Sequence, residues 1–415
     1  MACIAMLGYG VVGSGVAELI LKNRGKFKKN LNQELILSKI LVKNTKKHKD
    51  NKNSDIMTDD INEIFKAKVD IVVEAMGGLE PSYEYVKKAL NLKKHVVTAN
   101  KDLIAEYGCE LLKIAGENGV TLQFEASVGG GIPILKSISE CLVGNEINGI
   151  KAILNGTTNF ILSKMSADGM RYDEALKLAQ ESGFAESNPE SDVMGYDAAR
   201  KLSILSTIAY DRRVEWKDIN ITGITDIDEK DFMYAKQEGY NIKLVGMSRR
   251  EEGKIYASIM PVMVREESVL GKIENEYNVI VVDGDAVGDV VFSGKGAGMF
   301  PTASAVFGDI IDIIGHKRTS PLSFNDEIAE IDKYWSSEDR WLIRINTSNR
   351  LEVIKNISAN FKMCHIFSNS VTGDNGNEVA AFVKASDEKS LNNIIDGFLK
   401  LDGVEKVKKI LVMDR

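Results

Sequence analysis

The chain has 415 residues, of which 44% are hydrophobic and 27% charged, so it can form two or three domains with full cores and has the composition of a soluble enzyme. Its formal net charge of −7 argues against nucleic-acid binding, which needs clustered positive charge. Its four cysteines lack metal-ligand spacing, it has no apolar run long enough to span a membrane, and it opens without a signal peptide. We therefore expect a cytoplasmic protein with reduced thiols that acts without nucleic acid or membrane.

The first third of the chain alternates apolar runs with helical stretches. We predict buried strands at residues 2–7, 36–42, 69–73, 95–98 and 120–124, with helices that include residues 15–22 and 81–90. Strands that alternate with helices predict a parallel sheet with right-handed crossovers. The fold class is therefore α/β, beginning with a Rossmann dinucleotide-binding domain.

A G-x-G-x-x-G motif follows the first predicted strand. Gly8 permits the tight turn, Gly10 lets the backbone approach a pyrophosphate, and Gly13 permits close packing of the helix on the strand. Val11 and Val12 lie between the second and third glycines and are also candidate cofactor-binding residues, where the strand gives way to a helix whose N-terminus favours an anion. Because strands precede and follow this motif, it favours dinucleotide binding over a plain turn.

The residue after the second predicted strand bears on the choice of cofactor. An acidic residue there would bind a ribose 2′-hydroxyl and favour NAD, but the chain has Lys43, followed by Lys46 and Lys47. Cations suit a 2′-phosphate, so we expect NADP to be preferred, with NAD also possible. The alternative is a solvated basic loop.

The remaining two thirds divide into further predicted domains. A glycine-dense segment at 128–133 leads into amphipathic helices and strands, and a glycine cluster at 294–298 precedes a helix at 302–314. The last segment predicts strand, helix, strand, strand, helix and strand at 341–345, 351–361, 365–370, 378–383, 388–401 and 404–412, an order typical of a ferredoxin-like fold. We predict a Rossmann domain at 1–125 with about 300–318, an α+β substrate-binding and dimerisation domain at 126–299, a linker at 319–338 and a ferredoxin-like domain at 339–415.

A polar run from residue 183 to 201 is the strongest candidate for a substrate site. Gly183 is placed to end a helix, Asp192 to cap the next one, and Asp197 and Lys201 to share one face of that helix. Such a pair is usually a surface pair, but the apolar residues that follow it favour a position at the mouth of a site. A second candidate, Lys101, begins a helix after the fourth strand with Asn100 as its cap.

Residues 179–201 fit the pattern A-x₃-G-F-A-x₂-N-P-x₂-D-V-x-G-x-D-x₃-K at every fixed position. This pattern resembles the signature of homoserine dehydrogenases, and the blocks at 125–133, 155–162 and 294–302 resemble the same family in the same order. The resemblance covers about residues 1–320 and continues into a C-terminal part similar to an ACT domain.

The resemblance implies an enzyme that interconverts L-homoserine and L-aspartate 4-semialdehyde with NAD(P), on the route to threonine, methionine and isoleucine. It implies that Glu186 and Asp197 bind homoserine, that Lys201 donates a proton to the aldehyde oxygen, and that Lys101 lies near substrate and nicotinamide. Backbone at Gly183 and Gly298 would approach the cofactor.

The resemblance also implies a sodium ion, held largely through backbone oxygens. The residues that match this site are Glu125, Val128, Gly130 and Ile132. A hard cation suits oxygen ligands, although the glycines equally suit a tight strand–helix connection.

The C-terminal part departs from the pattern of amino-acid-binding ACT domains. These domains commonly carry D-x-P-G after the first strand, whereas residues 347–351 contain neither proline nor glycine. Control by threonine, binding of another effector and a purely oligomerising role stay open, and a homodimer or homotetramer is expected. Two alternatives for the whole chain are a semialdehyde dehydrogenase that uses a cysteine thiolate and a non-catalytic NADP-binding sensor.

Overall fold

The computed structural model describes residues 1–31, 33–315, 325–332, 334, 338–368 and 377–414. The chain forms two compact units. Unit 1 comprises residues 1–150, 200–217 and 280–329, and unit 2 comprises residues 151–199, 218–279 and 330–415. The four-part division predicted from the sequence is a finer one and stays a prediction.

Unit 1 is built on a six-stranded sheet in which all neighbouring strands are parallel. Its strands are β1 (Ala2–Leu7), β2 (Leu35–Leu41), β3 (Met57–Thr58), β4 (Ile71–Glu74), β5 (His95–Thr98) and β6 (Leu122–Gln123). They lie in the order β3-β2-β1-β4-β5-β6, which is the doubly wound dinucleotide-binding order. The sequence predicted five of these strands and missed the two-residue β3.

Helices connect the strands of this sheet and cover it. They are α1 (Val11–Leu31), α2 (Ile61–Lys66), α3 (Ser82–Asn91), α4 (Lys101–Asn118) and α10 (Met299–Ile314). Although α10 comes from the distant end of the unit, its residues Ala303, Val306 and Ile310 belong to the same buried core as β1 and α1. Gly15 allows α10 to approach α1, since a Cβ atom there would lie 2.8 Å from the backbone oxygen of Met299. Residues 316–318, which the sequence also assigned to the Rossmann domain, lie outside the described residues.

Unit 2 contains most of the remaining helices. They are α5 (Gly156–Asp168), α6 (Tyr172–Glu181), α7 (Glu190–Val193), α9 (Glu229–Gln237), α11 (Arg350–Asn360) and α12 (Glu388–Phe398), and α8 (Tyr196–Tyr210) runs across the boundary into unit 1. Strands β7 (Ile147–Ile153) and β11 (Tyr277–Gly284) also cross the boundary, and β12 (Gly288–Lys295) lies in unit 1 beside β11.

The sheet of unit 2 is mixed. Its strands are β8 (Asn220–Ile221), β9 (Tyr240–Glu251), β10 (Lys254–Arg265), β13 (Ile331–Asp332), β14 (Asp339–Thr347), β15 (Cys364–Ile366), β16 (Glu378–Ala385) and β17 (Val404–Met413). Strand β10 pairs with β9 along its whole length in the antiparallel sense and with β17, β13 and β8 in the parallel sense.

The C-terminal elements follow the predicted order of strand, helix, strand, strand, helix and strand, from β14 to β17. Their strands lie in the order β17-β14-β16-β15 and all neighbours are antiparallel. Because β17 also pairs with β10, this four-stranded part is continuous with the sheet of β9 and β10.

The predicted linker at 319–338 is described only in part, since residues 319–324, 333 and 335–337 lie outside the described residues, as do residues 369 and 370 of a predicted strand. The described part is not featureless. It contains β13, and Arg213 pairs with Ile328 as an isolated parallel bridge. No helix in the described part of the chain combines the length and apolar character that crossing a bilayer requires.

Candidate functional site

The glycine motif forms the turn between β1 and α1. Gly8 has a φ of +97°, a backbone conformation that favours glycine, and a Cβ atom on Gly13 would lie 2.4 Å from the carbonyl oxygen of Gly8. Gly10, in contrast, has nothing within 4 Å of its Cβ position. Two glycines thus allow close packing and the third leaves open space beside the N-terminus of α1, where Val11 is exposed. Such a turn fits a pyrophosphate.

A cavity of about 440 Å³ opens beside this turn, at the carboxyl ends of β1, β2 and β4. Its lining includes Gly8, Gly10, Lys43 and His48, together with the acidic Asp59. His48 is held by an edge-on contact with Tyr9, whose ring centroid lies 5.9 Å away. The cavity therefore presents Lys43 and His48 together with two acidic side chains, Asp59 and Glu80, at the place where the ribose of a bound dinucleotide is expected.

The ends of β4 and β5 are joined by a buried carboxylate. Glu74 accepts hydrogen bonds from the backbone N–H of Met76 (2.8 Å) and from the hydroxyl of Thr98 (2.5 Å). Asn100 caps α4 as predicted, because its side chain accepts a hydrogen bond from Leu103 N. Lys101 is the first residue of α4. The hydrogen bonds of Thr98 and Asn100 fix the backbone just before it.

The helix that begins at Lys101 is tied to the one that carries Lys201. The Asp102 carboxylate lies 3.2 Å from Nε of Arg200, whose guanidinium carbon lies 4.3 Å from the ring centroid of Trp216. Asp102 directly follows Lys101 on α4, and Arg200 directly precedes Lys201 on α8. The two predicted lysines therefore adjoin the two partners of one ion pair. Sequence reasoning missed this pair because Asp102 and Arg200 are far apart in the chain.

The predicted sodium residues lie on a short turn in unit 1. The carboxylate of Glu125 is buried and accepts hydrogen bonds from the backbone N–H groups of Leu135 and Lys136, both at 2.9 Å. Desolvation raises the pKa of this carboxyl group. Each oxygen of this carboxylate accepts one backbone N–H, so the side chain is fixed against residues 135 and 136.

The glycines of this turn permit a close backbone approach. Gly129 and Gly130 have φ values of +71° and +54°, and a Cβ atom on Gly130 would lie 2.4 Å from the backbone oxygen of Gly296. The crowding explains glycine at this position and brings together two glycine-rich segments of unit 1. The turn fits a hard cation in its chemistry, since oxygen atoms are the donors it offers.

The polar run from residue 183 begins where α6 ends. Gly183 has a φ of +77° and directly follows the C-cap Ser182, as predicted for a helix-ending glycine. The next residue is held by α5, because the hydroxyl of Thr157 donates a 2.6 Å hydrogen bond to the carbonyl oxygen of Phe184. The side chain of Glu186 is exposed, while its carbonyl oxygen accepts a hydrogen bond from Gln180.

The first turn of α8 carries Asp197, which is only 6% exposed. Its carboxylate accepts a 2.8 Å hydrogen bond from the amide of Asn155, and the same amide nitrogen donates to Asp192 at 2.7 Å. Lys201 follows one turn later on α8 and is half-buried. The structure thus assembles Asp192 and Asp197 around one amide that the sequence did not single out.

The role predicted for Asp192 was wrong. Asp192 lies inside the short helix α7, and Gly195, not Asp192, directly precedes α8. The sequence pattern does not reveal that a four-residue helix intervenes, and the carboxylate of Asp192 accepts a hydrogen bond from Asn155.

The cysteines offer little to a thiolate mechanism. All four are free, and burial raises the pKa of the Cys109 thiol, which disfavours the nucleophilic thiolate. This weighs against a dehydrogenase that forms a thioester.

The strand order, the open glycine turn and the adjoining cavity define a dinucleotide-binding protein of the doubly wound α/β class. Residues 8–125 match the family model described as "Homoserine dehydrogenase, NAD binding domain", and residues 133–311 match the model "Homoserine dehydrogenase". The chain belongs to the homoserine dehydrogenase family.

Individual relatives agree with the family models. A homoserine dehydrogenase of Bacillus subtilis is 41% identical over 317 residues, which are 76% of this chain and 73% of the relative. A crystal structure of a homoserine dehydrogenase from Thiobacillus denitrificans has a TM-score of 0.90 at 33% identity and covers 100% of this chain and 98% of its own. A hyperthermophilic archaeal homoserine dehydrogenase, solved in complex with NADPH, has a TM-score of 0.64 at 30% identity and covers 75% of this chain and 97% of its own.

The chain is therefore an oxidoreductase that interconverts L-homoserine and L-aspartate 4-semialdehyde with a nicotinamide cofactor. The resemblance seen in the sequence is confirmed for the family and for its activity. The sensor and the thiolate-dependent dehydrogenase are set aside by the same matches.

Proposed function

We propose that Lys201 is the general acid and base of this reaction, that Lys101 assists it, and that Glu186 and Asp197 bind the ammonium group of homoserine. The observation that carries the proposal is the buried carboxylate of Asp197, fixed by Asn155 one helical turn before Lys201. A buried carboxylate that a neighbouring amide holds in place has the charge and the geometry to bind the ammonium group of an amino acid.

The proposed roles follow from what the reaction requires. A bound nicotinamide cofactor exchanges a hydride with C4 of the substrate. During oxidation of homoserine, the amine of Lys201 takes the proton of the C4 hydroxyl group. During reduction of the semialdehyde, the Lys201 ammonium donates a proton to the aldehyde oxygen. Oxidation therefore leaves Lys201 protonated, and reduction leaves it as the neutral amine.

A lysine exchange tests the proton transfer. In Lys201→Met we expect kcat for homoserine oxidation to fall by about 100-fold or more, because a general acid–base group contributes about that factor. Affinity for the reduced cofactor, followed by its fluorescence, should stay within about twofold, which separates loss of proton transfer from loss of fold. A Lys201→Met enzyme with near-normal kcat would overturn the assignment. Asp197→Asn should instead act mainly through a higher KM for homoserine.

For the cofactor, we propose that Gly8, Gly10, Val11, Val12 and Gly13 bind the pyrophosphate and that Lys43 favours NADP over NAD. The position of Lys43 in the cavity beside the glycine turn supports the preference, as does the NADPH complex of the archaeal relative. By resemblance to the family, backbone at Gly183 and Gly298 and the side chain of Lys101 also contact the cofactor. Asp59 in the same cavity is the group that would favour NAD.

The preference is testable by reversing the charge. Lys43→Asp should lower kcat/KM for NADP by about tenfold or more and change kcat/KM for NAD little, because only NADP carries the 2′-phosphate. Lys52→Asp, at an exposed lysine outside the cavity lining, makes the same charge change as a control. Equal losses with both cofactors would contradict a role for Lys43 in their discrimination.

We also propose that Glu125, Val128, Gly130 and Ile132 hold a sodium ion through backbone oxygens. The fixed side chain of Glu125 and the backbone oxygen donors of the turn support this ligand set. A bound sodium would stabilise the turn electrostatically, and its removal should lower the melting temperature in tetramethylammonium buffer compared with sodium buffer.

The C-terminal residues 339–415 are proposed to form an ACT-like, ferredoxin-like domain, and the enzyme to assemble as a homodimer or homotetramer. The strand order β17-β14-β16-β15 supports the former. The assembly is supported by β12, which is the edge strand beside β11 in its sheet. At least every second residue of β12 is exposed, and the side chain of Val291 is 44% exposed. A cytoplasmic location and a place on the routes to threonine, methionine and isoleucine complete the proposal.

A further inference from the structure

Asn155 is the N-cap residue of α5, and the reaction itself assigns it no role. It is 5% exposed, and its Oδ1 atom accepts hydrogen bonds from the backbone N–H of Thr158 (2.8 Å) and from the Thr158 hydroxyl group (3.0 Å). These bonds fix which end of the amide is oxygen, because a backbone N–H can only donate. The amide nitrogen therefore faces away from α5.

That nitrogen donates to one oxygen of Asp192 at 2.7 Å and to one oxygen of Asp197 at 2.8 Å. Together the two distances place these carboxylate oxygens at most 5.5 Å apart. Two negative charges so close together in a partly buried setting repel each other, and the shared amide supplies one N–H to each. Both donor hydrogens of the amide are used.

We propose that Asn155 is a positioning residue for substrate binding. It holds the carboxylates of Asp192 and Asp197 at the spacing that receives the ammonium group of homoserine. The inference rests on the substrate-binding role proposed above for Asp197. It extends that role to a residue that acts through the two carboxylates, and it predicts an effect on KM for homoserine rather than on proton transfer.

The alternative is that Asn155 matters only as a helix cap. Serine and aspartate are both good N-caps, so a residue needed only for capping would tolerate either exchange. A positioning residue would tolerate neither, because serine cannot span both carboxylates and aspartate replaces the donor with a third negative charge. The two exchanges therefore separate the explanations.

The experiment measures steady-state kinetics of Asn155→Ser and Asn155→Asp, with melting temperatures as a test of folding. We expect KM for homoserine to rise by about tenfold or more in Asn155→Ser and further in Asn155→Asp, with kcat and KM for the cofactor changed by less than about threefold. Asp387→Ser exchanges a side-chain cap of α12 in the same unit and should leave KM for homoserine unchanged. If Asn155→Asp binds homoserine as the unaltered enzyme does, the positioning role is overturned.

A double exchange distinguishes failure of this inference from failure of the proposed site. If Asn155 acts through Asp197, adding Asn155→Ser to Asp197→Asn should raise KM by less than about twofold beyond the single Asp197→Asn exchange. If Asp197→Asn alone leaves KM unchanged, the proposed substrate site is wrong. If Asp197→Asn raises KM and the two exchanges multiply in full, the site stands and Asn155 acts independently of Asp197.

Discussion

Lys243 on β9 is a buried ionisable residue that makes the free energy of unfolding depend on pH. Its side chain is 2% exposed, and its ammonium group donates hydrogen bonds to the carbonyl oxygen of Ile273 (2.5 Å) and to Oδ1 of Asn159 (3.2 Å). Asn159 in turn donates to the carbonyl oxygens of Ile273, Asn275 and Tyr277. Burial lowers the pKa of Lys243 to about 8, because carbonyl groups replace water only in part.

This lowered pKa makes a prediction about stability. The unfolded chain keeps its proton up to a pKa of about 10.5, so between pH 8 and 10.5 it binds more protons at Lys243 than the folded protein does. The contribution of Lys243 to the free energy of unfolding therefore rises with pH in this window and is constant below it. Denaturant unfolding of the unaltered protein and of Lys243→Met should give a difference that shifts in favour of the unaltered protein by at most about 3 kcal/mol. The values below pH 7.5 serve as the internal baseline, and a difference that stays flat up to pH 10 would contradict the lowered pKa.

At this same scale, the candidate site was predictable only where chemistry follows local spacing. Gly183, Asp197 and Lys201 stand in one continuous run, and the helix and glycine signals around them are local. Asn155 precedes its two carboxylate partners by 37 and 42 residues, so no spacing rule connects them. The error at Asp192 has the same origin, since a cap is a local interpretation and the bond to Asn155 is not.

At the scale of elements, strands buried on both faces were the most predictable. β1 and β5 have the bounds predicted from their apolar runs, because a central parallel strand needs apolar side chains on both sides. Strand β3 has two residues and no such run, and it forms because the end of β2 offers it a partner. The apolar pattern predicted helix α10. Its close packing against α1 depends on the absence of a side chain at Gly15, which apolar periodicity does not reveal.

The length of an element was harder to predict than its presence. The first helix was expected over residues 15–22, yet α1 runs from Val11 to Leu31, because the lysines and asparagines beyond residue 22 carry no apolar periodicity. Conversely, α12 ends at Phe398 rather than at residue 401. Helix ends depend on caps and contacts that the apolar pattern does not encode.

At the scale of the whole molecule, a buried cluster of charges in unit 2 joins the C-terminal strands to α9. Arg344 on β14 lies 2.7 Å from a carboxylate oxygen of Asp228 and 2.8 Å from one of Glu378, and it also contacts Asp231. Lys408 on β17 is the second cation of Asp231, which is fully buried. Together with the pairing of β17 and β10, this cluster makes the described residues of 339–368 and 377–414 part of the same compact unit as β9 and β10.

The cluster predicts that destabilising the C-terminal strands will also destabilise the rest of unit 2. Arg344→Met leaves three acidic side chains with one lysine among them, and breaking a buried ion pair in this way costs about 3 kcal/mol or more. We expect unfolding and loss of homoserine oxidation to shift together to lower temperature, because the strand that carries Arg344 shares its sheet with β10 through β17. Lys406→Met is the matched control, since its ion pair with Asp226 is more than half exposed on both sides and should be worth less than about 1 kcal/mol. Activity that survives to the original temperature in Arg344→Met, while calorimetry shows an earlier transition, would mean that the C-terminal strands unfold alone and that the continuous sheet does not couple them to the rest of unit 2.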